Sequence, residues 1–333
     1  MRQSLSAACL LAMIATLPAH AGPKAPQMLV VSFDGAGENR MWMKSREMAK
    51  RTGARFTYFL SCTNLIDRPR ADSYKAPGRK AGRSNVGFAP TTADVRVRLD
   101  HIWNARAEGH EIASHGCGHF DGADWTREDW LTEMASFDRV LKNAWKDAGI
   151  GDREPADWQD FVTNEITGFR APYLSTGPAL IEAERKHGYR YDASPVARGP
   201  EWPDEDGGVY LFGLPLIPEG PSARKIVAMD YNLFVRHSMA VNNPSRSAEF
   251  EDRAYKAFRS AFDREYDGDR NPLQIGLHFP QMNDGAYWRA IDRLLGEVCQ
   301  REDVACVTYA EVVKASEARQ AKRDDETTFG PSQ

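Results

Sequence analysis

The sequence lacks the marks of several protein classes. Past residue 21 it has no apolar run of the ~20 residues that a spanning helix needs, so the mature chain is expected to be soluble, without a membrane span. Lys and Arg are nowhere massed into a block. The 43 basic residues are outnumbered by 47 acidic ones, giving a net charge of −4 and no electrostatic case for nucleic acid. No segment repeats and no low-complexity linker divides the chain. Its 333 residues, 42% of them hydrophobic, read as one large domain with a full core. Cysteine is scarce, at five residues. One further absence is local. In "SFDGAG" (32–37), Asp34 ends an apolar run and is followed by Gly35 rather than by a second acid.

Residues 1–21 read as a cleaved export signal. Arg2 gives a positive start, "LSAACLLAMIATL" an apolar middle, and "AHA" (19–21) a small-x-small cleavage site before Gly22. A periplasmic or secreted protein is expected. Cleavage leaves Cys62, Cys117, Cys299 and Cys306, an even set that fits disulfides in an exported chain and permits three pairings. Cys62–Cys117 and Cys299–Cys306 are favoured. The second pair is close in the chain, and the first would join the ends of neighbouring strands.

Strand-like and helix-like runs alternate. "QMLVVSFD" (27–34), "ARFTYFLS" (54–61), "EIAS" (111–114), "ITGFRAP" (166–172), "YRYDAS" (189–194), "LQIGLHF" (273–279) and "VACVTY" (304–309) read as strands. Helical stretches separate them. In 126–149, Trp130, Met134, Phe137, Leu141 and Trp145 mark one helix face. Residues 62–90 form a polar, Pro/Gly-rich inserted loop. Between 199 and 245 the pattern loosens, and "GVYLFGLPLI" and "KIVAMDYNLF" read as strands. The domain spans 22–320, with a polar tail at 321–333. Such alternation predicts an α/β fold with parallel strands and outer helices, either a (β/α) barrel or an open sheet.

In these folds chemistry gathers at the C-terminal strand ends. Asp34, "SHGCGH" (114–119), "FRAPY" (169–173), "YDAS" (191–194) and "LHF" (277–279) all lie at such ends. His115 and His119, four residues apart, are spaced to meet one divalent cation. Asp34 beside Arg170 would be held ionised, ready to take a proton from water. Asp192 bonded to His278 would keep that imidazole protonated, ready to donate to a leaving group. Asp230, Asn232 and His237 are candidates for shaping a binding rim. Tyr287 and Trp288 are candidates for stacking on a sugar ring.

Taken jointly, "SFDGA", "GHEIASHGCGH", "FRAPY", "YDAS" and "GLHF" resemble the motifs of the NodB-type polysaccharide deacetylases, carbohydrate esterase family 4, in their chitin-deacetylase-like branch. The resemblance covers roughly 28–315. It implies a distorted (β/α) barrel of about seven parallel strands that removes acetyl groups from an N-acetylated polysaccharide such as chitin, peptidoglycan or an exopolysaccharide. It implies a divalent metal on His115 and His119, zinc first, with cobalt, nickel or manganese as alternatives. Asp34 becomes the general base, oriented by Arg170. The Tyr173 N–H serves the oxyanion, and His278 is the general acid, tuned by Asp192. Leu277 becomes the lining of an acetyl pocket, with Trp288 a second candidate.

Gly35 departs from that family's usual pair of acids, the second of which ligates the metal. Three readings follow. Two histidines and waters, with or without Asp34, hold the metal at lower affinity; or Glu38, Asp121 or Cys117 substitutes; or the chain is a non-catalytic carbohydrate-binding protein. An amidase acting on small amides is a further alternative.

Overall fold

A computed structural model describes residues 24–328; the expected signal segment lies outside the described residues. In chain order the first half comprises β1 (Gln27–Gly35), α1 (Asn39–Thr52), β2 (Phe56–Leu60), α2 (Thr92–Ala107), β3 (Glu111–Ser114), α3 (Arg127–Asp147), a single turn α4 (Trp158–Asp160), β4 (Gly168–Phe169), α5 (Pro178–His187) and β5 (Tyr191–Asp192). The second half comprises β6 (Val196–Ala197), β7 (Asp204–Asp206), β8 (Val209–Leu211), β9 (Leu214–Glu219), β10 (Arg224–Val227), α6 (Asp230–Ser238), α7 (Ser247–Asp267), β11 (Leu273–His278), α8 (Met282–Val298), β12 (Val304–Val307) and α9 (Tyr309–Thr328).

The main sheet runs β11-β1-β2-β3-β4-β5-β8-β7, with β12 also on β1. All of its pairings are parallel except the β7–β8 hairpin, so eight strands run together where about seven were expected. The sheet curls into a half-barrel that does not close. A second sheet, β10-β9-β6, lies off its path, tied to β11 by the bridge Met229–Gly276.

β1 is the hub, and it is buried along nearly its whole length. A parallel strand covered on both faces needs apolar residues on both. Alternate side chains therefore serve two cores. Val30, Phe59, Tyr191, Phe212 and Tyr309 fill the barrel interior. Leu29, Val31, Phe33, Phe56 and Tyr58 meet the helical layer. The helices begin and end as their sequences dictate. Thr91 with Asp94, and Thr126 with Asp129, form capping boxes. Gly53 closes α1 in the left-handed conformation at φ 76°. The apolar face expected on α3 is buried throughout.

Two expected elements differ. "DYNLF" is not strand: Asp230, Leu233, Phe234 and His237 are the buried face of α6, at helical spacing. α9 continues through the stretch read as a polar tail to Thr328.

Candidate active site

β1 and β11 pair in register with Asp34 opposite His278, so the two side chains leave adjacent strands on the same side. Arg170 follows β4 and is wholly buried. Its Nη1 donates to Asp34 Oδ1 at 2.7 Å and to Ser32 Oγ at 2.8 Å. Nε donates to the Ala193 carbonyl and Nη2 to the Tyr309 hydroxyl. The guanidinium lies 4.2 Å over the Phe59 ring. A planar fork held at every arm cannot turn away from its carboxylate. Burial pushes the Asp34 carboxyl up. The charges of Arg170, His115 and His278 and the Arg170 hydrogen bond outweigh it, leaving Asp34 below the ordinary carboxylate value.

His278 does not meet Asp192. Its partner is Asp230, at the start of α6: His278 Nδ1 lies 2.7 Å from Asp230 Oδ1, and Asp230 Oδ2 accepts the His278 backbone N–H at 2.8 Å. Strand order explains the correction. β5, which carries Asp192, is five places along the sheet from β11. Asp192 instead accepts from the Ser194 N–H and hydroxyl. Burial pushes the His278 imidazole down, but the charge and hydrogen bond of Asp230, with the charge of Asp34, leave it above the ordinary value.

His115 and His119 follow β3, with ring centroids 5.0 Å apart. The His115 Nδ1–H donates to the Arg170 carbonyl at 2.7 Å, which turns Nε2 away as the basic nitrogen. That Nε2 is buried and has no partner. Burial pushes the His115 pKa down to about 3 and lowers that of His119, so both rings are neutral. Their loop is held from beneath. Glu133 on α3 accepts the N–H groups of Cys117 and Gly118 at 2.8 and 3.1 Å, and the Tyr74 hydroxyl. Cys117 is joined to Cys62, and Cys299 to Cys306. The favoured pairing forms because Cys62 and Cys117 follow the paired strands β2 and β3.

Among the described residues no group of three or more His, Cys, Asp and Glu forms a metal cluster. Cys117 cannot offer a thiolate, being oxidised. Asp121 is occupied by Ser175 and its own Ala123 N–H, and exposed Glu38 pairs with Arg40. Gly35 has φ 83°, and a Cβ there would meet nothing within 4 Å. The chain takes a left-handed turn at the position where the resemblance implies a second acid.

A cleft of about 480 Å³ is lined by Asp34, His115, His119, Tyr173, His278 and Asn232, among others. Tyr173 is 60% exposed, packs edge-on to His119, and has φ 59°. Leu277 and Trp288 are not on this surface. Leu277 pairs in register with Phe33, and both face the helical layer. Trp288 stacks on Phe33, and its Nε1–H donates to the His278 carbonyl at 2.9 Å. Tyr287 is buried against His237. His237 pairs with Glu219 beneath α6. Met229, Leu174 and Val86 supply the apolar lining instead, and Asn85 of the inserted loop reaches the His119 carbonyl and the Tyr173 hydroxyl. No sequence period pointed to these residues.

No protein-family model and no curated protein matches the chain. Solved structures do, and their fold is the NodB-type (β/α) half-barrel of carbohydrate esterase family 4 that the motifs resemble. A candidate polysaccharide deacetylase from Mycobacterium smegmatis superposes with a TM-score of 0.55 at 14% identity, over 90% of this chain and 93% of that one. A peptidoglycan deacetylase from Bacillus subtilis (TM-score 0.46, 12% identity) is matched over 92% of this chain and 98% of its own. A family 4 pseudoenzyme from Bacillus anthracis (0.46, 9%) is matched over 86% and 66%.

Proposed function

We propose that this chain is a hydrolase that removes acetyl groups from an N-acetylated polysaccharide. One observation carries the reading. Asp34, kept ionised by Arg170, and His278, kept protonated by Asp230, leave adjacent strands into one cleft. They form an acid–base pair whose environments push the two groups in opposite directions.

Asp34 takes a proton from water as the water oxygen bonds the acetyl carbon and the C=O π pair moves onto the carbonyl oxygen. The C–N bond then breaks. His278 gives its proton to the departing nitrogen, leaving acetate and a free amine. The Tyr173 N–H is the oxyanion donor of this reading.

The residues present fit a divalent cation. The orphaned Nε2 of His115 and the neutral ring of His119 would hold it, and zinc suits imidazole donors. Such an ion, when bound, polarises the carbonyl and acidifies water. The two disulfides fit an exported protein in an oxidising compartment. Among the described residues no helix is long and apolar enough to cross a membrane.

The glycine at position 35 favours a second reading, a carbohydrate-binding protein without turnover. Acetate release from N-acetylglucosamine oligosaccharides separates the two. The deacetylase reading expects release by the wild type, reduced by about 100-fold or more in Asp34→Asn. Oligosaccharide binding with no acetate would establish the second reading.

A further inference from the structure

The inserted loop gives the cleft a charged lip. Residues 62–90 contain six cations, Arg68, Arg70, Lys75, Arg79, Lys80 and Arg83, against two acids, in a chain whose net charge is −4. Arg70 is paired, with Asp67 and Asp147. Arg79, Lys80 and Arg83 are exposed, and no carboxylate among the described residues lies within ion-pair distance of them. The three line a cleft of about 410 Å³ with Ser84, Asn85 and Phe120. Asn85 also lines the cleft of Asp34 and His278, so the two lie side by side with a shared wall.

This lip is a fixed wall. The Asn85 N–H donates to the Gly118 carbonyl at 2.8 Å, and its side chain donates to the His119 carbonyl at 2.9 Å. The Thr63 hydroxyl donates to the Cys117 carbonyl, and the Cys62–Cys117 disulfide closes the base.

A second cation lies deeper. Arg98 on α2 lines the adjoining cleft that Asp34 and Gly35 share, yet it is only 3% exposed. Its Nη1 donates to the Asn64 carbonyl, its Nε has no partner, and no carboxylate pairs with it. Asp94, one turn earlier, acts on it through charge alone, its carboxylate being bonded in the Thr91 capping box. A buried cation is ordinarily paired directly, so one without a bonded carboxylate beside a cleft marks a place for an anion.

We propose that the substrate is an acidic glycan: an N-acetylated polymer whose neighbouring units carry carboxylates, drawn over Arg79, Lys80 and Arg83 at the lip and towards the charge of Arg98 beneath the cleft. This rests on the deacetylase reading and narrows it, setting a carboxylate-bearing polymer above neutral chitin.

Binding and turnover are scored separately. The probes are end-labelled oligosaccharides of alternating glucuronic acid and N-acetylglucosamine, beside chitin oligosaccharides of equal length, followed by fluorescence anisotropy. At low salt the acidic probe binds about tenfold tighter, the sum expected of three exposed ion pairs, and the preference collapses at high salt. The R79A/K80A/R83A variant, altered only at exposed positions, loses most of the preference. Arg98→Met, with its melting temperature checked, loses part of what remains.

Equal binding of the neutral probe, or a preference that survives the triple variant, overturns the proposal. So does an oligonucleotide of equal charge that binds as well as the acidic glycan. A preference for the acidic probe with no acetate from any N-acetylated glycan supports the lip and removes the deacetylase. Acetate release without the preference does the reverse.

Discussion

Arg170 shows how one side chain fixes a site. Four of its five N–H groups are spent on Asp34, Ser32, Ala193 and Tyr309, which leaves the carboxylate a single orientation. Asp230 does the same for His278. These pairs set the pH profile of the proposed activity. The depressed Asp34 must be ionised, so turnover falls on the acid side as it gains a proton. The raised His278 must be protonated, so turnover falls on the alkaline side as it loses one. Asp230→Asn removes the charge that raises His278, and the alkaline limb of kcat/KM moves to lower pH. Asp192→Asn leaves that limb in place. If Asp192→Asn moved it and Asp230→Asn did not, the pairing described above would be wrong.

Asp192 carries a different expectation. Burial raises its pKa from 3.8 to about 6, and its Oδ2 has no partner. A carboxyl raised in the folded state contributes stability below pH 3.8 that is lost as pH rises through about 6. The two-unit shift corresponds to roughly 3 kcal/mol. Asp192→Asn removes this dependence, so the variant gains on the wild type in melting temperature between pH 4 and pH 7, whatever its absolute stability. A constant difference across that range would show that Asp192 does not titrate there.

At the scale of elements, the two disulfides close very different loops. Cys62 and Cys117 are 55 residues apart, Cys299 and Cys306 only seven. Chain entropy assigns roughly 4 kcal/mol to the first and about 2 to the second. Replacing the first pair with serine is therefore expected to lower the denaturant midpoint by about twice as much. Only that change also loosens the His115–His119 loop and costs turnover. Equal effects from both pairs would mean that the insert is held by its hydrogen bonds alone.

The same scale shows what the sequence disclosed. Asp34, His115, Arg170 and His278 were legible because parallel strands put all their C-terminal ends on one side of the sheet. The histidine's partner was not. Asp230 opens a helix in the irregular stretch beside the open edge of the barrel, where no strand end points to it. Its helix was nevertheless written at 230, 233, 234 and 237, a spacing masked by the β-branched residues before it. Leu277 was legible and misread. If His278 enters the cleft, alternation sends Leu277 to the other face. The inserted loop was visible only as polar residues. Arg79, Lys80 and Arg83 are close together in the chain, but only the fold shows that they line a cleft beside the strand ends.

For the whole molecule, the half-barrel separates support from chemistry. The aromatic layers hold the strands, and their C-terminal ends carry Asp34, His278 and two neutral imidazoles around one cleft. The orphaned His115 nitrogen is the donor that the proposed reaction would offer to a cation. The most direct measurement is acetate release from an N-acetylglucosamine polymer by chelated protein as zinc is returned, with His115→Ala beside it. Wild-type protein is expected to be silent when stripped and to recover with about one equivalent of zinc, while the variant binds no zinc and stays silent. Undiminished turnover in the stripped protein, or full turnover in His115→Ala, would contradict the account.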